Sequence, residues 1–285
     1  MRLPRNFLAV CLAILPAGGC FVQRRVVAPP ARLSNRPLLT ASKEELIERI
    51  HATFDPIRSF SMHADMAPSV GSLFGGAITD YATVRGDILF LRPDLIRVAG
   101  LDPVIHSSTI FDMVSNGADF RVSVPSKDRF IEGDNNAPPS SQNKLENLRP
   151  VAFLNSLIIV APDPENTLIE NDTDESKAVY ILLVVRHEGG VPQLVRNLYF
   201  DRYTLEIDRE KTFDASGEML SQTRYADWKK YNGRSYPSLI QILRPREGYE
   251  VTLTVIDMDI NSPKVTPDKF VLPQPPGADV TRLKE

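Results

Sequence analysis

The residues that most often carry chemistry are few and scattered in this sequence. Its four histidines, His51, His63, His106 and His187, are at least 12 residues apart and share no spacing typical of metal ligands. The acidic run at 172–175 could offer oxygen ligands to Ca²⁺. It lacks the spaced glycine and distal glutamate of an EF-hand loop, which favours a solvated turn. No motif for a nucleophile elbow, a phosphate-binding loop or a zinc hydrolase is present. We therefore expect no catalytic residue, metal or cofactor, and a protein that is not an enzyme.

One aromatic group lies just before the Asn232-Gly233 turn. Tyr225, Trp228 and Tyr231 could form an aromatic wall for a ligand, or they could pack in a core. We favour packing.

Cys20 has a more distinctive setting. Two arginines, an apolar stretch over 7–15 and small residues at 17–19 predict an export signal that is cleaved before it. Cys11 would be removed with residues 1–19, so the mature chain would hold no second cysteine for a disulfide. The arrangement resembles the lipobox of bacterial lipoproteins, in which the cysteine carries covalent diacylglycerol and an N-acyl lipid such as palmitate. The alternative is an ordinary signal peptide with an accidental cysteine.

The same resemblance predicts where the protein is anchored. Lipoproteins kept at the inner membrane have aspartate after the cysteine, whereas this chain has Phe21, which favours the outer membrane and its periplasmic face. The proline- and arginine-rich stretch that follows is typical of a tether. We expect a signal peptide at 1–19, an acylated N-terminus and tether at 20–41, one domain at 42–277 and a C-terminal tail at 278–285. A net charge of −3 gives no indication of nucleic-acid binding.

Two helices are predicted. Ser42 and Glu45 form a capping box, and Pro56 should end the helix that follows them. A second helix over about 145–158 is interrupted by Pro150 and is expected as two short pieces.

Elsewhere the apolar residues alternate with polar ones, as in strands. Asn116-Gly117 is the clearest hairpin turn, and the apolar phase slips between Val255 and Ile256, which predicts a β-bulge. The strand at 178–185 is apolar on both faces and should be covered on both sides. These features predict a mainly β (α+β) fold, a curved antiparallel half-barrel that stays open. The candidate strands are 59–66, 80–91, 94–100, 108–115, 118–124, 129–132, 166–171, 177–187, 192–201, 204–212, 218–230, 234–244 and 248–260.

The order of these elements resembles the LolA/LolB-like superfamily of lipoprotein carriers and receptors. The resemblance rests on the two helices, on the closing runs 236–242 and 253–261, and on the ending Phe270–Pro273 followed by Pro275–Gly277. It implies an open half-barrel of about 11–13 strands, lidded by two or three helices over a hydrophobic cavity. Because the receptor of that superfamily is itself a lipoprotein, the anchor favours a receptor-like member.

The resemblance also implies a function. The expected protein is a non-catalytic carrier or receptor that binds a lipid or an acylated protein next to the outer-membrane bilayer. The alternative is a structural or assembly lipoprotein that binds another envelope protein through a sheet edge or through the apolar, glycine-rich loop 67–78. That loop could enter a bilayer, close over a ligand or fold back onto the core. The residues proposed to contact the ligand or the membrane are Leu73, Phe74, Phe153, Leu157, Val179, Ile181, Leu183 and Val185.

Overall fold

The computed structural model describes residues 37–72, 77–102, 108–135, 144–173 and 177–283. The predictions for the signal peptide, Cys20 and most of the tether lie outside the described residues. So do those for His106, Leu73, Phe74 and part of the acidic run at 172–175.

One sheet of fifteen strands contains almost all of the regular structure. Its order is β15-β7-β6-β5-β4-β3-β1-β14-β13-β12-β11-β10-β9-β8, and β2 pairs with β1 beside this path. The edge strands β15 and β8 are not paired with each other, so the sheet is open. The strands are β1 (Ser59–Ser72), β2 (Ala77–Asp80), β3 (Val84–Leu91), β4 (Leu95–Leu101), β5 (Thr109–Ser115), β6 (Asp119–Val124), β7 (Arg129–Asp134), β8 (Thr167–Thr173), β9 (Ala178–Glu188), β10 (Val191–Asp201), β11 (Ile207–Phe213), β12 (Met219–Tyr231), β13 (Arg234–Arg244), β14 (Tyr249–Ile260) and β15 (Asp279–Leu283).

Every strand expected from alternation is present, and the described residues contain two more than the thirteen candidates. The expected count of 11–13 was therefore too low. The predicted loop 67–78 is largely a hairpin, because β1 pairs with β14 as far as Val70 and its residues 69–72 also pair with β2. Glycine and proline gave this segment a loop-like composition, but the main-chain ladder that β14 offers does not depend on side chains.

The predicted bulge in β14 is confirmed. His63 of β1 pairs with Asp257, and the next residue, Ala64, pairs with Val255, so the register passes over Ile256. Every second residue of β14 is buried as far as Val255, and this alternation resumes at Met258, while Ile256 between them is exposed. One extra residue on one strand bends that strand and increases its twist.

Two α-helices cover one face of the sheet, called the inner face below. Helix α1 (Lys43–Phe54) begins after Ser42 with both hydrogen bonds of the capping box. Helix α2 (Pro150–Leu157) follows a separate 3₁₀ turn at 144–147, so the two predicted pieces are confirmed. Tyr236 of β13 contacts both helices, since its ring lies 6.3 Å from that of Phe54 and its hydroxyl donates to the Leu157 carbonyl.

The C-terminal segment covers part of the other, outer face. Arg97 donates to the Lys269 carbonyl at 2.7 Å, and Leu272 packs against Val114 and Phe130. The segment ends as β15, which pairs in parallel with β7. The residues expected to form a tail at 278–285 therefore supply an edge strand, and this one pair departs from the antiparallel pattern.

Candidate ligand cavity

An apolar cavity of about 370 Å³ lies between α2 and the inner face of the sheet. Strands β1, β3, β5, β6, β7 and β14 form its walls, and the two residues that come from the helix region are Leu148 and Phe153. The volume is within the range of small-molecule sites, near its lower end. The lining residues are Met66, Pro68, Tyr81, Ala82, Val84, Ile110, Phe111, Met113, Val122, Val124, Ser126, Lys127, Arg129, Ile131, Leu148, Phe153 and Val251.

Burial separates the floor of this cavity from its mouth. Met66, Met113 and Phe153 are fully buried and form the floor. Ala82 and Lys127 are exposed and mark the mouth. A ligand would therefore enter between the end of β2 and the β6–β7 connection and extend towards α2.

Two glycines let large side chains lie flat against the sheet next to the cavity. A Cβ atom on Gly100 would stand 2.3 Å from the Phe111 ring, and one on Gly86 would stand 2.7 Å from the Met66 side chain. Because both approaches are shorter than any ordinary contact, a larger residue at either position would displace a cavity-lining side chain. Sequence reasoning missed this pair, although glycine within a strand often marks a close approach.

The other half of the inner face is filled rather than hollow. Tyr225 donates to the Ser156 carbonyl at 2.9 Å and to Glu210 at 3.3 Å, and Glu210 also pairs with Arg196. Ser156 bonds to Thr223 at 2.9 Å. Burial raises the pKa of Tyr225, as it does that of Tyr236, so both hydroxyls stay protonated and act as donors. This network holds the C-terminal end of α2 against β11–β13.

The three residues considered for an aromatic wall, Tyr225, Trp228 and Tyr231, are buried to different extents. Tyr225 is buried in the core, and Trp228 and Tyr231 pack against it partly buried. None of the three lines the cavity. These three side chains pack in or against the core, which is the interpretation that we favoured from the sequence.

The residues predicted to contact the ligand occupy three different places. Phe153 lines the cavity, and Leu157 lies in the core beside it. In β9, Tyr180 and Leu182 face the core with the helices, so the residues that alternate with them face outward. These outward residues do not line the cavity. Ile181 is buried, but the other three are half-buried. The outer face of β9 is therefore not fully covered, contrary to the expectation that both of its faces would be. The four outward residues are Val179, Ile181, Leu183 and Val185.

The cavity residues that sequence reasoning missed come mainly from β5, β6 and β7. Their signal was present, because Met113, Val122 and Ile131 occupy matching inward positions on three adjacent strands. Alternation reveals which residues share a face, but it does not reveal which part of that face the helices leave uncovered.

The polar candidates make local pairs. His51 bonds to Asp55 at 2.7 Å, and His63 bonds to Asp87 at 2.6 Å, all on exposed side chains. Among the described residues, no group of three or more His, Cys, Asp or Glu side chains is arranged to hold a metal ion. None of the helices in the described ranges is long and apolar enough to span a bilayer.

The fold has counterparts among solved structures. It is similar to a DUF1329 family protein from Desulfovibrio piger (TM-score 0.52, 12% identity, 79% of this chain and 96% of that one). It is also similar to a LolA superfamily protein from Nitrosomonas europaea (TM-score 0.49, 15% identity, 82% and 99%). A third is a Vibrio parahaemolyticus domain described as an outer membrane lipoprotein-sorting protein (TM-score 0.49, 12% identity, 79% and 94%). At these identities the likeness concerns the fold. No family model and no curated protein matches the sequence.

Proposed function

We propose that this protein is a non-catalytic carrier or receptor that binds a lipid or an acylated protein in the cavity described above. The observation that carries the proposal is an apolar cavity of about 370 Å³ between α2 and the inner face of the sheet. Protein interiors are normally filled to the density of organic crystals, whereas this cleft is apolar and concave, which is typical of a site for an apolar ligand.

Desolvation would supply the affinity. Each methylene transferred from water contributes about 0.8 kcal/mol, so roughly twelve of them give about 10 kcal/mol. Association consumes at least about 4 kcal/mol of this gain, which leaves about 6 kcal/mol and a dissociation constant of tens of micromolar. No reacting group is required for this activity.

The cavity can be tested by filling it. Val122 is half-buried and lines the cavity, so Val122→Trp should displace a ligand chain. Val271→Trp is the control, because Val271 is 62% exposed and lies on the outer side of the sheet in the C-terminal segment. Native mass spectrometry of the Cys20→Ala form should find copurifying lipid in the parent and in the control, but not in Val122→Trp. Absence of lipid from all three would contradict the proposal.

The membrane-facing part of the proposal concerns the β1–β2 hairpin. Leu73 and Phe74 belong to the four residues that connect its strands, and Ile78 on β2 is exposed. We propose that these two residues contact the bilayer. Replacing both with glutamate should weaken flotation with phospholipid vesicles, whereas Val191→Glu, at an exposed apolar position elsewhere, should not. Equal flotation of both variants would exclude this role.

A second function has one observation in its favour. Strand β8 has no neighbour on its outer edge in the described chain, and it exposes Leu168 by 62% and Ile169 by 40%. An unprotected edge of this kind can add a strand from another protein, which fits an assembly lipoprotein that binds an envelope partner. A photo-crosslinking residue at 168 should then capture one defined partner that the same residue at 271 does not. Capture that is equal at both positions would count against this function.

A further inference from the structure

The free edge of β8 forms one side of an apolar groove on the far side of the molecule from the cavity. The other side is made by the residues that lead into α1, among them Ala41, Ser42 and Glu44. On β8 the groove contains Leu168, which is 62% exposed, and Ile169, which is 40% exposed. Since β8 pairs only with β9 in the described chain, its outer main-chain groups are available. The groove therefore offers apolar contacts together with a row of main-chain hydrogen bonds.

The described chain begins close to this groove. The Leu39 N–H donates to the Arg202 carbonyl at 2.7 Å. The Arg202 guanidinium in turn donates to the side chains of Asn171 and Thr173, at the C-terminal end of β8, both at 3.0 Å. The preceding residues 21–36 therefore join the domain beside β8. Fully extended they span about 50 Å, whereas β8 is about 23 Å long, so their length is sufficient to follow its edge.

The groove and the segment 21–36 have opposite charges. Glu44 and Glu170 line the groove and are exposed. Lys43 also lines it, but its ammonium group already donates to the Pro164 carbonyl at 2.8 Å and lies 3.6 Å from Glu44. Glu170 forms no ion pair with any of the described residues. The segment contains four arginines and no acidic residue, so its charge complements that of the groove.

The first part of this segment has the composition of a strand. Residues 21–27 include Phe21 and three valines and no proline, which favours extended backbone. They equal β8 in length, since both have seven residues. Pro29 and Pro30 follow and would end such a strand, because proline has no N–H to give to a ladder.

We propose that residues 21–27 add to the free edge of β8 as a further strand, so that the chain covers this groove with its own N-terminal segment. Because the segment and the groove belong to one chain, the segment acts at an effective concentration of about 1 mM. With a dissociation constant of about 0.1 mM it would be docked in about 90% of the molecules. An envelope partner that adds a strand to β8 must displace it. The proposed carrier function does not depend on this contact.

Photo-crosslinking identifies the occupant of the edge. A photo-crosslinking residue at position 169 of the Cys20→Ala chain should react with a peptide from residues 21–28 of the same chain, and the product should migrate as a monomer. Position 256 is the matched control, because Ile256 is 46% exposed but lies on β14, away from the groove. A crosslink between two chains at position 169 would assign the groove to a second copy, and one to another protein would assign it to an envelope partner. Either result would overturn the inference.

Amide hydrogen exchange measures how often the segment is docked. The N–H groups of β8 that point away from β9 should exchange about tenfold more slowly in the parent than in Arg24→Glu/Arg25→Glu, because about 10% of parent molecules have a free edge. Glu170→Lys should lose the same protection. Glu188→Lys should keep it, because this control makes the same charge change at an exposed position of β9 outside the groove.

Combining Glu170→Lys with Arg24→Glu/Arg25→Glu should restore part of the protection, since the exchanged charges attract again. A general loss of folding would not be reversed in this way. Rapid exchange of the β8 edge in the parent, or protection that is the same in all of these variants, would overturn the inference. Copurifying lipid, measured by native mass spectrometry of the same variants, reports separately on the carrier function.

Discussion

At the residue scale, the tyrosine hydroxyls on the inner face are what connect α2 to the sheet. The last carbonyls of a helix have no partner within the helix, and buried ones must find a donor elsewhere. Tyr236 supplies one to Leu157 at 2.7 Å, and Tyr225 supplies one to Ser156. The position of α2, and therefore of the cavity floor, depends on these two bonds.

Tyr236→Phe should destabilise the protein by about 1–3 kcal/mol, because the buried Leu157 carbonyl would lose its donor. Urea denaturation measures the change. Tyr81→Phe is the control and should change stability by less than about 0.5 kcal/mol, because Tyr81 is exposed. Equal effects of the two substitutions would contradict the role assigned to Tyr236.

A second residue-scale prediction concerns pH. Asp214, in the turn between β11 and β12, accepts bonds from the Ser216 hydroxyl, from the main-chain N–H of Ser216 and Glu218, and from Arg246. Together these lower its pKa to about 2, the Ser216 hydroxyl contributing most. A carboxylate with a lowered pKa stabilises the fold above its ordinary pKa, and this contribution is lost as the pH falls from about 4 through 2.

Carboxyl NMR should therefore give a titration midpoint near 2 for Asp214. Ser216→Ala should raise that midpoint more than Arg246→Gln does, because the serine hydroxyl is the larger cause. A midpoint of 3.8 in the parent chain, the ordinary value for aspartate, would show that the turn does not hold these bonds in solution.

At the element scale, local signals identified most helices and strands because each signal acts within a few residues. The Ser42 capping box, the break before Pro150 and the Asn116-Gly117 turn all lie where the sequence predicts them. The exceptions are β2, the distal part of β1 and β15. Their sequences carry little alternation. They become strands because a neighbour presents unpaired main-chain groups to each of them: β1 to β2, β14 to the distal part of β1, and β7 to β15.

The helix cap gives the prediction at this scale. Ser42→Ala should lower the free energy of unfolding by about 1 kcal/mol, because the N–H of Glu45 loses its acceptor. Ser42→Asp should retain most of the stability, since aspartate caps helices as well as serine does. Thermal denaturation followed by circular dichroism distinguishes the two. A loss as large in Ser42→Asp as in Ser42→Ala would assign the effect to something other than the cap.

At the scale of the whole molecule, the open sheet makes a cavity possible. Two short helices cover the open inner face of the sheet unequally. The polar network fixes the C-terminal end of α2 to β11–β13, the helix also contacts β4 and β5, and the space remains between Phe153 of α2 and β5–β7.

The membrane anchor belongs to the whole chain and is predicted from its first twenty residues. Cells given radiolabelled palmitate should label this protein, and Cys20→Ala should abolish the label and release the protein into the soluble periplasm. Cys11→Ala is the matched control and should keep the label, because Cys11 lies in the segment that is predicted to be removed. Labelling of Cys20→Ala, or its retention in the outer membrane, would contradict acylation at this position.

The sequence alone determined most of the elements and which residues share a face of a strand, because capping, turn formation and alternation are short-range effects of neighbouring residues. It placed Phe153 among the ligand contacts, and that residue does line the cavity. The four residues that it named on β9 do not line this cavity, since both faces of that strand are apolar and only the helices decide which one faces inward. The cavity itself, with Met113, Val122 and Ile131 on its wall and Lys127 and Arg129 at its mouth, was decided by the tertiary structure. A space arises where packed elements fail to meet, and that depends on residues far apart in the chain.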